Sequence, residues 1–192
     1  MKYATYPALW ACLLLSMTVQ AGDVEALKAG VFNPAREAPD FSVLGSDGGA
    51  LTLSQYRGKI VVLGFGYTHC PNVCPATLAV LALAHRKLGA LASQVQVIYL
   101  TVDPERDSAE RLKQYLAAFD PTFVGGTGSA AQMAAVRLSY GVTAEKVGTG
   151  SDYAVAHSSF IYLITREGRL RALMPFGHKA DDYVHDISRL LN

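Results

Sequence analysis

Three stretches of the chain are mainly apolar, which is typical of strands buried on both faces of a sheet. They are residues 60–65, 95–102 and 158–164. The segments between and after them carry apolar residues at helical spacing or residues that start and stop helices. We predict helices at residues 75–88, 108–119, 129–140 and 181–191. Strands and helices therefore alternate through the middle of the chain.

Turn residues predict a hairpin near each end of this pattern. The sequence Ser-Asp-Gly-Gly at 46–49 is a hairpin turn signal between short strands at 39–44 and 51–53. Residues 166–169 turn the third buried strand into an alternating strand at 170–173. Strands separated by helices pair in parallel, and hairpin strands pair antiparallel. The order predicts an α/β fold, a thioredoxin-like sandwich with an N-terminal β-hairpin and a central mixed sheet.

Residues 1–21 have the pattern of a secretory signal. Lys2 precedes an apolar run at 8–15, and Val19-Gln20-Ala21 suits cleavage before Gly22. The apolar run is shorter than the roughly 20 residues that span a bilayer, so we favour cleavage over a membrane anchor. Residues 22–38 then form a lead-in, of which 22–36 is predicted as a helix or tail, and residues 39–192 form one domain.

Composition limits the function of the exported part. Removal of residues 1–21 from the 192-residue chain leaves 171 residues, which suits a single domain with a substantial core. Lys2 is removed with the signal, so the remaining chain has 16 basic and 16 acidic residues and no net charge. A neutral domain gives no electrostatic reason to bind nucleic acid or an anionic membrane. Cys70 and Cys74 remain, in a compartment that is oxidising.

These two cysteines lie where a buried strand meets a helix, beyond the carboxyl end of a central strand, where α/β sheets usually carry their sites. A helix N-terminus is expected to lower the pKa of a thiol there. If the spacing from Cys70 to Cys74 covers one helical turn, their Cα atoms are about 6 Å apart, which a disulfide can bridge. The pair is suited to dithiol, disulfide and metal-bound states. A purely structural disulfide is disfavoured because so small a loop constrains the unfolded chain little.

The surroundings differ from those of a simple redox protein. Three residues separate the cysteines, whereas redox proteins of this fold usually have two. The only tryptophan, Trp10, lies in the signal, and no proline occurs between Pro121 and Pro175 to face the cysteines. His157, directly before a buried strand, is a candidate third ligand at the same sheet edge. Two thiolates and one imidazole suit Cu(I) and tolerate Cu(II), while structural zinc needs a fourth ligand that is not evident.

Four motifs in order resemble the Sco/SenC/PrrC family over about residues 37–191. They are Tyr67-Thr68-His69-Cys70-Pro71-Asn72-Val73-Cys74-Pro75, Val102-Asp103-Pro104-Glu105-Arg106-Asp107, Gly125-Gly126-Thr127-Gly128 and His157-Ser158-Ser159. The resemblance implies a thioredoxin-like, copper-binding protein of the cell envelope. By motif position it implies that Cys70, Cys74 and His157 are the copper ligands and that Asp103 supports the site, although Asp103 could equally cap its own turn.

The resemblance also implies a function and partners. It indicates a metallochaperone that assembles the binuclear copper centre, CuA, of cytochrome c oxidase, and oxidation of Cys70 and Cys74 to a disulfide would gate copper binding. Expected partners are the copper-receiving subunit of the oxidase and another periplasmic copper chaperone or thiol reductant, and the expected location is the periplasm. The alternative is a thiol:disulfide oxidoreductase that reduces the cysteines of the apo copper site. Any enzymatic activity would be this exchange at the two cysteines; a peroxidase-like role has less support.

Two positions depart from the family pattern. Asn72 stands between the cysteines, and Ala156 stands before the histidine, where the family commonly has aspartate. Both changes remove negative charge near the proposed ligands, so they weaken the electrostatic attraction for a cation.

The other histidines and two of the methionines are not predicted to bind metal. His85, His178 and His185 lie on or beside predicted helices and are expected to be structural. His69 adjoins Cys70, but neighbouring side chains point apart, so we do not expect it to be a ligand. Met133 and Met174 have the spacing of core residues.

Overall fold

The computed structural model describes residues 27–192. Within this range the strands are β1 Gly30–Glu37, β2 Ser42–Gly45, β3 Ala50–Thr52, β4 Ile60–Gly66, β5 Val95–Thr101, β6 Val124–Thr127, β7 Ala144–Val147, β8 Ala154–His157, β9 Phe160–Ile164 and β10 Arg169–Pro175. The helices are α1 Val73–Leu88, α2 Ala109–Ala117, α3 Ala130–Ser139 and α4 Ala180–Leu191. Short 3-10 turns cover Leu53–Tyr56 and Gly89–Gln94.

Eight strands form one mixed sheet in the order β1-β10-β9-β4-β5-β6-β2-β3. Strand β4 lies inside this sheet, parallel to β5 and antiparallel to β9, and β5 is parallel to β6. Strands β2 and β3 form the predicted N-terminal hairpin. The central mixed sheet and the α/β order therefore agree with the prediction.

The core lies around β4 and β5. Every residue of β4 is buried, and so are all residues of β5 except Gln96. Helices α1 and α4 pack against each other and contribute buried side chains such as Leu78 and Ile187. Met133 and Met174 are fully buried, as expected for core residues. The apolar runs were a good guide here because burial on both faces excludes polar residues.

Two helices begin at serine caps. Ser108 Oγ accepts a hydrogen bond from the backbone N–H of Arg111 at 3.1 Å, and Ser129 Oγ accepts one from that of Gln132 at 3.2 Å. A full capping box would also have the Gln132 side chain accept from the Ser129 backbone N–H; in the structure the Gln132 amide nitrogen donates to the carbonyl of Ser42 on β2 at 2.7 Å. The Gln132 side chain is thus bound to a distant strand, β2, rather than to the backbone of its own helix start.

The N-terminal lead-in differs from the prediction. From residue 30 it is neither helix nor tail but the edge strand β1, which pairs antiparallel with β10. Asp186 on α4 fixes its start by accepting hydrogen bonds from the backbone N–H groups of Lys28 at 2.7 Å and Ala29 at 2.9 Å. Strand β1 lacks strict alternation of buried and exposed residues, so its structure depends on the open edge of β10.

The predicted signal, residues 1–21, lies outside the described residues. No helix within residues 27–192 combines the length and the apolar character that crossing a bilayer requires.

Candidate metal and thiol site

The two cysteines lie at the junction between β4 and α1. Cys70 precedes the helix and is half-buried, while Cys74 is the second residue of α1 and is buried; both are free thiols. The backbone N–H of Cys74 donates to Cys70 Sγ at 3.4 Å. Asn72 is the N-cap residue, but its side chain makes no capping hydrogen bond. The sulfur of Cys70 therefore satisfies one of the free N–H groups of the first helical turn.

His157, the last residue of β8, faces the same sulfur. Its Nε2 lies 3.5 Å from Cys74 Sγ, and its Nδ1 lies 2.8 Å from the carbonyl oxygen of Ser158. A carbonyl only accepts hydrogen bonds, so Nδ1 carries the proton of the neutral ring and the lone pair of Nε2 points at the sulfur. The fold thus brings together two candidate residues that are 83 positions apart in the chain.

Burial determines the protonation of both groups. It raises the pKa of the Cys74 thiol to about 12; a hydrogen bond with Cys70 acts in the same direction, and hydrogen bonds from the Tyr99 side chain and the Tyr67 backbone oppose it. Burial lowers the pKa of His157, and the hydrogen bond to the Ser158 carbonyl opposes that shift. The expected lowering of the thiol pKa at the helix N-terminus is therefore reversed at Cys74. At neutral pH the pair is an uncharged thiol beside an uncharged imidazole.

A buried tyrosine forms the floor of the site. Tyr99 on β5 is fully buried, and its hydroxyl hydrogen-bonds with the Cys74 side chain. A Cβ atom at Gly66 would overlap the hydroxyl oxygen of Tyr99 and lie 2.9 Å from Cys74 Sγ. Glycine at the end of β4 therefore allows the phenol and the thiol to meet.

A buried carboxylate holds the start of the cysteine segment. Asp107 accepts hydrogen bonds from the Thr68 backbone N–H at 3.0 Å, the Thr68 hydroxyl at 2.6 Å and the Thr101 hydroxyl at 2.7 Å. The ring of His69 turns towards this group, with Nδ1 3.2 Å from the Thr68 hydroxyl. The structure thus places His69 beside Asp107, and the imidazole in contact with Cys74 is that of His157.

Asp103 closes the turn after β5 through its backbone and binds two side chains through its carboxylate. Its backbone carbonyl accepts from the N–H groups of Arg106 at 3.2 Å and Asp107 at 3.0 Å, which closes the turn. Its buried carboxylate accepts from Arg106 Nε at 2.5 Å and from the Tyr153 hydroxyl at 2.6 Å. The turn after β5 is thereby joined to the segment that leads to His157.

The remaining histidines pair with carboxylates. His85 Nδ1 lies 2.9 Å from Asp120, His178 Nδ1 lies 3.3 Å from Asp182, and His185 Nδ1 lies 2.8 Å from Asp186. These contacts agree with the structural roles predicted for all three.

Sequence reasoning did not find the tyrosines around the site. Tyr67, Tyr99 and Tyr153 each contact a candidate residue or its support. Tyr99 lies within an apolar run, and the sequence pattern predicts only that its side chain is part of the core. Only the fold shows that its hydroxyl meets a sulfur.

The donor set suits a soft metal ion, although the side chains do not enclose one. In the described part of the chain, no three His, Cys, Asp or Glu side chains are arranged so that they could hold a metal ion as they stand. Around Cys74 Sγ lie a second thiol, an imidazole nitrogen and a phenol. Sulfur and imidazole are the donors that copper prefers. A site of three ligands therefore requires these side chains to draw together around the ion.

Comparisons with known proteins agree on one family. The SCO1/SenC family model matches residues 31–192. The mitochondrial SCO2 homolog of Bos taurus is 41% identical over 133 residues, which are 67% of this chain and 50% of that protein. The chain thus spans about half the length of this relative.

Two solved structures share the fold. ScoI of Bradyrhizobium japonicum with copper bound has a TM-score of 0.75 and 37% identity, and the match covers 80% of this chain and 99% of that one. BsSco, a member of the Sco family of cytochrome c oxidase assembly proteins in which a disulfide switch has been identified, has a TM-score of 0.64 and 25% identity, covering 81% and 94%. The thioredoxin-like α/β architecture is thus that of the Sco proteins.

Proposed function

Because the chain belongs to the SCO1/SenC family, we propose that it is a periplasmic copper chaperone that holds one copper ion with Cys70, Cys74 and His157. Its cargo would pass to the copper-receiving subunit of cytochrome c oxidase to build CuA. The observation that carries this proposal is the 3.5 Å contact between His157 Nε2 and Cys74 Sγ.

The chemistry of the three groups supports this cargo. Thiolates and a neutral imidazole bind Cu(I) well and tolerate Cu(II), whereas hard ions prefer oxygen. His157 presents a lone pair because the Ser158 carbonyl fixes the proton on the other nitrogen. Copper must displace the proton of Cys74, so binding releases protons to solvent. Ligand exchange with cysteines and histidines of a partner then transfers the ion.

The same cysteines provide a redox gate. Oxidation by a partner disulfide forms the Cys70–Cys74 bond; the two thiols lose two electrons and two protons, and the partner becomes a dithiol. This bond removes both sulfur ligands at once. The disulfide switch identified in BsSco supports this part of the proposal.

Copper retention of His157→Ala tests the proposal. We expect the reduced wild-type protein to retain copper near one ion per chain against a competing chelator, with a sulfur-to-copper charge-transfer band if Cu(II) is supplied. His157→Ala should lose most of that copper. His178→Ala is the matched control, because His178 pairs with Asp182, and it should retain wild-type occupancy. Full occupancy in His157→Ala would refute the three-ligand site.

A thiol:disulfide oxidoreductase remains the second candidate, because Cys70 is half-buried and therefore more accessible than the buried Cys74. Cys70 would attack a partner disulfide, and Cys74 would resolve the mixed disulfide. His157→Ala should leave the rate of this exchange unchanged while copper is lost. Normal oxidase maturation in cells carrying Cys70→Ser and Cys74→Ser would contradict both functions.

A further inference from the structure

His157 is carried by a small hairpin separate from the main sheet. Within residues 27–192, strands β7 and β8, here called the histidine hairpin, pair only with each other. Of their eight residues only Val155 is buried. A two-stranded hairpin is marginally stable by itself, so its position depends on its contacts with the rest of the domain.

The strongest of these contacts involves Tyr153, the residue directly before β8. Its hydroxyl donates to Asp103 Oδ1 at 2.6 Å, and the guanidinium of Arg106 lies 3.7 Å above its ring. Arg106 Nε donates to the other oxygen of Asp103 at 2.5 Å. Asp103 is 1% exposed, so this group, here called the Tyr153 clamp, is anchored in the body of the domain.

Weaker contacts surround the clamp. Lys146 Nζ on β7 lies 4.6 Å from the centre of the Tyr153 ring and 2.6 Å from Glu105 Oε2. Arg106 Nη1 donates to the Ser151 carbonyl at 3.3 Å. All of them join the histidine hairpin to the single turn that follows β5.

The position of the hairpin fixes that of the imidazole. The backbone N–H of Val155 donates to the Tyr67 hydroxyl at 3.2 Å, and the Tyr67 ring meets the His157 ring edge-on with centroids 5.9 Å apart. Between Tyr153 and His157 lie only three residues, all on β8. Displacement of Tyr153 therefore moves His157 away from Cys74.

We propose that Tyr153 is a positioning residue that, through its clamp on Asp103 and Arg106, holds the histidine hairpin closed over Cys74. Opening of the clamp withdraws the imidazole and leaves the two sulfurs open to an acceptor protein. This inference rests on the proposed copper-chaperone function for its purpose, but the closed hairpin itself can be tested without metal.

Hydrogen exchange in the metal-free protein gives the first test. Tyr153→Phe keeps the ring beneath Arg106 and removes only the hydroxyl that Asp103 accepts. A hydrogen bond to a charged group makes a closed state more favourable by about tenfold or more. We therefore expect amides of residues 154–157 to exchange about tenfold faster in Tyr153→Phe. The control Tyr56→Phe, in the 3-10 turn before β4, should match the wild type. Unchanged exchange in Tyr153→Phe would overturn the proposal.

A double-mutant cycle gives the second test. Tyr153→Phe should weaken copper retention about tenfold in the wild-type background and have no further effect in His157→Ala, because it acts through that imidazole. An equal loss in both backgrounds would show that Tyr153 acts on the fold in general and would overturn the proposal. Failure of the wild type to hold copper would reject the proposed function instead, and the exchange experiment would still decide whether the clamp exists.

A surface variant covers the case in which Tyr153→Phe does not fold. Lys146→Met removes the ion pair between Lys146 and Glu105. Both side chains of this pair are about half exposed. The substitution should accelerate exchange of the same amides about twofold, as expected for an exposed pair. If Tyr153→Phe does not fold, unchanged exchange in Lys146→Met would refute a hairpin held by these contacts.

Discussion

At Cys74 two opposing effects act on one sulfur. The first turn of α1 presents free N–H groups, which favour a thiolate, while burial among apolar groups disfavours it. Burial prevails and raises the pKa to about 12. The Cys74 thiol thus stays protonated at neutral pH and is buried, whereas Cys70 is half-buried.

Gly66 offers a prediction at the same scale. Gly66→Ala places a Cβ against the Tyr99 hydroxyl and Cys74 Sγ. Overpacking of this kind costs about 1–3 kcal/mol, so we expect the free energy of unfolding in urea to fall by about that amount. Combining it with Tyr99→Phe, which removes the obstructing oxygen, should restore part of the loss. Gly30→Ala is the control, because its Cβ would meet only the Leu173 carbonyl at 3.5 Å; an equal effect there would contradict the steric explanation.

At the scale of elements, the site depends on how the strand ends are tied together. Asp107 joins the segment after β4 to the end of β5 through Thr68 and Thr101. Its backbone carbonyl also accepts from the Thr127 hydroxyl of β6 at 2.8 Å. Three neighbouring strands are therefore fixed by one residue beneath the cysteine segment.

Replacing that carboxylate should loosen the segment. Asp107→Asn exchanges one acceptor oxygen for an NH2 donor, which faces either the Thr68 hydroxyl or the pair formed by the Thr68 N–H and the Thr101 hydroxyl. Because each hydrogen bond to a buried charge contributes about 1.5–3 kcal/mol, we expect the free energy of unfolding to fall by about 2–3 kcal/mol and Cys70 to react faster with a thiol reagent. Asp152→Asn, at an exposed position, should change neither quantity. A stable variant with unaltered Cys70 reactivity would argue against this role.

At the scale of the whole molecule, Asp120 connects α1 with the segment between α2 and β6. Burial raises the pKa of Asp120, but hydrogen bonds from the Thr122 hydroxyl and backbone N–H and from His85 outweigh it, and the pKa falls below the ordinary 3.8. A carboxyl whose pKa is lower in the folded state stabilises the fold above the unfolded pKa and ceases to do so as pH falls through the folded pKa.

Acid should therefore weaken this connection. We expect the wild type to be more stable than Asp120→Asn in urea at pH 6, with the difference shrinking once pH falls below about 3.8. The stability of Asp152→Asn should remain close to that of the wild type both at pH 6 and at pH 2. A difference between wild type and Asp120→Asn that is as large at pH 2 as at pH 6 would contradict the role of the charge.

The sequence could predict elements whose environment is uniform along their length. Strands β4 and β5 are buried on both faces, and α2 and α3 begin at serine caps, so local pattern and final structure agree. Strands β1, β6, β7 and β8 escaped prediction. Their residues are mostly exposed or glycine-rich. Strands β1 and β6 form by pairing with strands of the main sheet, and β7 and β8 form by pairing with each other.

The candidate site divides in the same way. Cys70, Cys74 and His157 could be singled out from residue type, spacing and motif, since the donor chemistry belongs to the side chains themselves. The tertiary structure alone decided that His157 Nε2 faces Cys74, that the Cys74 thiol stays protonated, and that Tyr99 and Tyr153 take part. The physical reason is that burial, hydrogen-bond partners and contacts between distant residues arise only when the sheet closes, whereas donor atoms and apolar runs are present in the unfolded chain.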